Sequence, residues 1–124
     1  MNLFDGIIED FGTGPTFSFQ NLRFPIAPAA SAGLTQGREV VMGVRPEHIV
    51  LDAPEASSPG AFTADVRVLE PMGNELTAYL SLEGKNIVAK LPGGADLTVG
   101  TKARFRLDLD LIHLFDGETK VAIR

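Results

Sequence analysis

KARFRLDLDL, residues 102–111, alternates polar and apolar side chains at every step. Ala103, Phe105, Leu107 and Leu109 fall on one side, Lys102, Arg104, Arg106, Asp108 and Asp110 on the other. Successive side chains of a strand point to opposite faces, so this pattern buries one face and wets the other; a helix would spread the same residues around its axis. Two further stretches repeat it. In AFTADVRVLE, residues 61–70, Phe62, Ala64, Val66 and Val68 are expected inward and Thr63, Asp65 and Arg67 outward. In ELTAYLSLEG, residues 75–84, Leu76, Ala78, Leu80 and Leu82 oppose Thr77, Tyr79, Ser81 and Glu83.

Working outward, shorter strand candidates are 6–10, 16–20, 22–26, 38–44, 48–51, 87–91, 112–115 and 120–123. Turn chemistry separates them: Gly12 and Gly14-Pro15, Gln20-Asn21, Met72-Gly73-Asn74, residues 83–86 (EGKN), Pro92-Gly93-Gly94 and Asp116-Gly117. Gly73-Asn74 reads as a hairpin turn needing positive φ, with Glu75 opening the next strand; a binding role for this loop is the secondary reading. Residues 27–33 (APAASAG) and 52–60 (DAPEASSPG) read as surface loops. Many short strands at this spacing predict an all-β barrel or sandwich.

The chain has 124 residues and no cysteine. That length suits one domain, or two small lobes, 1–52 and 61–124, sharing a core. Disulfides and thiolate zinc sites are excluded, and a reducing compartment is expected. Sixteen acids against eleven bases give a net charge of -5, which disfavours phosphate backbones and anionic membranes, so no nucleic-acid partner is expected. No apolar run approaches the roughly 20 residues of a membrane-spanning helix, and no signal peptide opens the chain; a soluble, intracellular protein is expected.

Catalytic motifs are sparse. A phosphate-binding loop needs G-x-x-x-x-G-K-[ST], whose glycine amides wrap the phosphates while lysine reaches them. The nearest approach, GGADLTVGTK at 93–102, has the wrong spacing and reads better as a turn between strands. No G-x-S-x-G, H-E-x-x-H or G-x-G-x-x-G occurs. The two histidines, His48 and His113, could join Glu47 and Asp116 at a metal only if folding gathered them; the plainer reading makes each an ordinary strand-end histidine. Asp108 and Asp110 would share a strand face as a carboxylate pair, or simply continue its solvated charged side.

GVRPEHIVL, residues 43–51, concentrates the remaining polar chemistry. Pro46 fixes its own φ, lacks an N–H and pushes Arg45 toward extended backbone, so ladder pairing ends there. Arg45, Pro46, Glu47 and His48 therefore read as a stiff corner between two strands, or as a partner contact carried on that corner. Phe115 reads either as a plug at a strand end or as an exposed aromatic anchor.

Four segments in order resemble the C-terminal regulatory domain of sugar-importer ATPase subunits of the ABC class, of which the maltose importer's ATPase is the familiar member. GVRPEH (43–48) is similar to its G-x-R-P-E-H signature, VLEPMGNEL (68–76) to its strand-then-GNE segment, IHLFD (112–116) to its H-L-F-D segment, and MNLFDG (1–6) to the junction following the ATPase domain. Leu109 and Asp110 depart from the family's proline and longer acid, and Lys120 from its threonine-glycine ending. The resemblance implies an OB-type (TOBE) barrel with an accessory small sheet. It implies a single regulatory domain over 1–124, with the parent's N-terminal ATPase domain, and its ATP and magnesium, absent, so the fragment holds no cofactor and is no enzyme. Further implied are a second copy of the same subunit as partner, the importer's membrane subunits, a regulatory protein or small ligand, and a cytoplasmic position peripheral to the inner membrane. Candidate contact residues on the matching segments are Arg45, Pro46, Glu47, His48, Gly73, Asn74, Glu75, His113, Phe115 and Asp116. The competing expectation is a small-anion or oligosaccharide-binding barrel, like the related molybdate-binding domains.

Overall fold

Ten strands and one 3-10 turn make up the regular structure of the computed structural model, which describes residues 1–10, 14–26, 34–52 and 59–123. The strands are β1 (Asn2–Asp10), β2 (Pro15–Phe19), β3 (Leu22–Pro25), β4 (Glu39–Val44), β5 (Ile49–Leu51), β6 (Ala61–Met72), β7 (Glu75–Leu82), β8 (Lys85–Pro92), β9 (Lys102–Leu107) and β10 (His113–Asp116). The 3-10 turn spans Pro46–His48. The all-β, OB-type expectation holds. Gly12, the 27–33 loop and most of the 52–60 loop lie outside the described residues.

The chain forms two units. The first holds Met1, Leu3–Val44 and Leu109–Arg124; the second holds Asn2 and Arg45–Asp108. The divisions thus fall at 44/45 and 108/109 rather than across 52–60, because β10 returns to pair with β4.

In the first unit the sheet order is β10-β4-β1-β2-β3. One face is buried: Phe4, Ile8, Phe17, Phe24, Val40, Met42, Val44 and Leu114 are nearly inaccessible, and Phe4 meets Phe19 edge-on with ring centroids 5.3 Å apart. Each such side chain stabilises the fold by about 1.5–3 kcal/mol relative to exposure. Gly6 shares the inward parity of Phe4 and Ile8, and a Cβ there would collide with the Phe17 ring and the Ser18 carbonyl. The expected strand at 120–123 is reduced to an isolated bridge between Phe115 and Ala122.

The second unit carries the sheet β5-β9-β6-β7-β8. Phe62 and Phe105, register partners on β6 and β9, stack at 5.8 Å between centroids. Ala64, Val66, Leu76, Ala78, Leu80, Leu82, Ile87, Ala89 and Leu91 complete the inner face as alternation requires. A bulge between Val66 and Val68 reverses that alternation, so Val68 is 53% exposed instead of inward. The β7–β8 turn places both Glu83 and Gly84 at positive φ, as a type I′ hairpin requires; in the β6–β7 turn Gly73 is positive. β9 stops at Leu107, and Asp108-Leu109-Asp110 leaves the sheet as the chain passes between units, so Leu109 is only half-buried.

Candidate interaction surface

The corner at Arg45 forms as Pro46 dictates. Arg45 is extended (φ -71°, ψ 143°), Pro46 opens a single 3-10 turn, and His48 N–H closes it on the Arg45 carbonyl at 2.9 Å. Asp108 N–H then donates to the His48 carbonyl at 3.2 Å, where β5 meets β9. Arg45 and Glu47 are exposed and Pro46 and His48 half-buried. A hydrogen bond from its own backbone amide, aided by His48, Lys90 and Arg45, holds the Glu47 carboxyl below the usual carboxylate range. His48 Nδ1 is buried without a hydrogen-bond partner among the described residues.

Gly73, Asn74 and Glu75 form the exposed tip of the β6–β7 hairpin, and the Asn74 carbonyl accepts from Gly93 N–H at 2.9 Å, bracing the tip against the turn that follows β8.

His113, Phe115 and Asp116 lie on β10 in the first unit, but they do not act together. Asp116 ties the strand end: Oδ2 accepts from Arg38 Nη2 at 3.0 Å, and Oδ1 accepts from the Glu118 and Thr119 N–H groups at 2.9 Å each. The Thr119 amide first, then the Arg38 guanidinium and the Glu118 amide, hold its carboxyl far below the usual range. His113 and Phe115, half-buried, share the opposite face with their register partners Gly43 and Val41 on β4.

On that outer face the candidates His113 and Phe115 are joined by apolar side chains of the first strand that the sequence motifs did not single out. A Cβ at Gly43 would run into Met1 and crowd the Phe115 ring, so the glycine of the GVRPEH stretch lets these side chains close over the sheet. Leu3 and Ile7, on the outward parity of β1, are 48% and 40% exposed, and Met1 is 53% exposed. The signal was present: Leu3 and Ile7 alternate out of step with the buried Phe4 and Ile8. Toward β2 and β3 the face turns polar, where Glu9 accepts from the Ser18 hydroxyl and pairs with Arg23 at 3.3 Å.

The second unit has a groove of about 570 Å³ lined by Leu51, Asp52, Thr63, Asp96, Lys102 and Arg104 among others. Its cations are already answered: Arg104 Nε meets Asp52 Oδ2 at 2.9 Å and Lys102 meets Asp65 at 3.2 Å. Among the described residues no group of three or more acids and histidines could hold a metal ion. His48 and His113 belong to different units, and Asp108 and Asp110 stand outside any strand.

Comparison with known proteins gives a consistent relationship. Residues 42–115 match the family model for the TOBE domain, and residues 1–49 match that for the MalK OB fold domain. The chain is 33% identical over 128 residues to the xylose/arabinose import ATP-binding protein XacK of Haloferax volcanii, covering 100% of this chain and 32% of that protein. It is 31% identical over 119 residues to the sn-glycerol-3-phosphate import ATP-binding protein UgpC 1 of Rhizobium johnstonii, covering 96% of this chain and 31% of that protein. The oligosaccharides import ATP-binding protein MsmX of Bacillus subtilis is 31% identical over 71% of this chain and 25% of its own length. The chain thus spans a third or less of each relative. In three dimensions it is similar to the cytoplasmic molybdate-binding protein ModG with molybdate bound, at a TM-score of 0.75 over 91% of this chain and 94% of that one; at 19% identity the likeness is one of fold.

Proposed function

This chain belongs to the TOBE-domain family, and on that premise we propose that it is the regulatory and dimerisation domain of the ATP-binding subunit of an ABC importer for sugars or related solutes. In this reading it works on the cytoplasmic side, peripheral to the inner membrane through the importer's membrane subunits. A second copy of the subunit and a regulatory protein or small ligand are its other partners. ATP and magnesium belong to another part of the parent subunit, and this domain performs no catalysis.

One observation carries the reading. The whole chain aligns within about a third of an import ATP-binding protein, yet it contains no G-x-x-x-x-G-K-[ST] loop with which to hold a nucleotide. What it offers instead is two sheets with rigid exposed surfaces, the kind of scaffold on which partner contacts concentrate. The small-anion alternative has less support, since the cations of the second unit's groove already face carboxylates.

Light scattering coupled to size exclusion, over a range of protein concentrations, tests this. The expected result is a reversible dimer weakened by Glu47→Arg at the exposed corner, with no ATP hydrolysis. A strict monomer at every concentration overturns the dimerisation half; hydrolysis by the purified chain overturns the whole.

A further inference from the structure

We propose that the outer face of the first unit's sheet docks a protein surface whose apolar side chains are flanked by lysine or arginine, rather than a second copy of this chain. The inference rests on the reading of the domain as one that receives partners. It adds which face does so and what chemistry answers it.

A sheet face left to water is ordinarily polar. Here β1 projects Leu3 and Ile7 outward, and the bare backbone of Gly43 lets Met1 and Phe115 close over β4, with His113 half-buried alongside. Apolar side chains exposed together on one sheet face mark an interaction site. Its charges choose the occupant. Asp5 lies between Leu3 and Ile7 on the same parity, and Glu39 opens the outward row of β4; both are exposed and form no ion pair among the described residues. Arg23, a cation at the far side of this face, is held by Glu9 and by the Gln20 and Leu22 carbonyls.

A second copy brought face to face would offer Asp5 and Glu39 the same two carboxylates, while its Arg23 is already held by Glu9. Covering a charge without a partner is costly, and like charges across an interface are repulsive. An apolar surface rimmed by lysine or arginine covers the patch and answers both carboxylates.

The probes are two amphipathic helical peptides with one leucine face, flanked by lysines in the first and by glutamates in the second. Amide chemical shifts of the whole 124-residue chain report where each binds. The lysine peptide is expected to shift residues of β1, β4 and β10, with affinity falling as salt rises. The Asp5→Lys, Glu39→Lys double variant is expected to keep its urea midpoint, since both positions are exposed, and to bind the lysine peptide about tenfold more weakly while gaining the glutamate peptide. Shifts confined to other residues, equal binding of both peptides, or no binding overturns the proposal. So does a dimer that dissociates on Ile7→Asp, because a second copy then occupies the face; that result leaves the regulatory reading standing. A monomer that still binds the lysine peptide here overturns only the dimerisation reading.

Discussion

Asn2 and Val88 exchange two hydrogen bonds: Asn2 Nδ2 donates to the Val88 carbonyl at 2.8 Å, and Val88 N–H donates to Asn2 Oδ1 at 2.8 Å. A single side-chain amide thus stands in for a neighbouring strand on the outer edge of β8. An unpaired sheet edge is a template for unwanted pairing, and the amide satisfies both Val88 backbone groups there.

Asn2→Ala removes both partners at once. It is expected to cost about 1–3 kcal/mol, because a part-buried N–H and C=O lose their bonds together. Urea denaturation reads the change as a lower midpoint with an unchanged slope. An unchanged midpoint would mean that water replaces the amide without loss.

Gly6→Ala and Gly43→Ala are expected to rank in that order. At Gly6 the new methyl meets the Ser18 carbonyl and the Phe17 ring, both fixed in the sheet and core. At Gly43 its nearest neighbour is the flexible end of Met1. Overpacking of the first kind costs roughly 1–3 kcal/mol or more, the second well under that. Thermal melts of the two variants check the order; equal melting temperatures would contradict it.

Acid sensitivity follows from Asp116. Its folded carboxyl titrates well below its unfolded value, held by the Thr119 and Glu118 amides and by Arg38. The stability it contributes is present above the unfolded pKa of about 3.9 and is lost as pH falls through the folded value. Urea midpoints taken from neutrality downward should therefore fall below about pH 4 in the parent chain. In Asp116→Asn that part of the decline should be absent. Parallel acid limbs for the two proteins would show that Asp116 is not a source of the sensitivity.

Much of this arrangement was legible in the sequence. The inward rows at 62–66, 76–82 and 103–107 were plain because one buried face per strand is a local, period-two requirement. The corner after Val44 was legible because proline's effects are local too. The bulge that exposes Val68 was not, since it depends on pairing with β7. The Asp108-Leu109-Asp110-Leu111 stretch was misleading: it keeps the strand pattern while the backbone turns away. The outer face of the first unit was only half legible: the outward parity of Leu3 and Ile7 is local, but the gathering of its members is not. Gly43, Phe115 and Leu3 become neighbours only once β10 and β1 lie beside β4, and no window of sequence contains all three.

The return of β10 to β4 has a kinetic consequence. The segment Arg45–Asp108 is continuous, and its two ends are already side by side where Ile49 pairs with Leu107. Collapse of that segment first would bring Val44 and Leu109 together before the first unit's sheet is complete. The entropy of closing so long a loop would then be offset by the burial that forms the second unit's sheet. Folding of the flanking strands should trail that of the insert. Destabilising the insert should slow assembly of a sheet to which it contributes no strand.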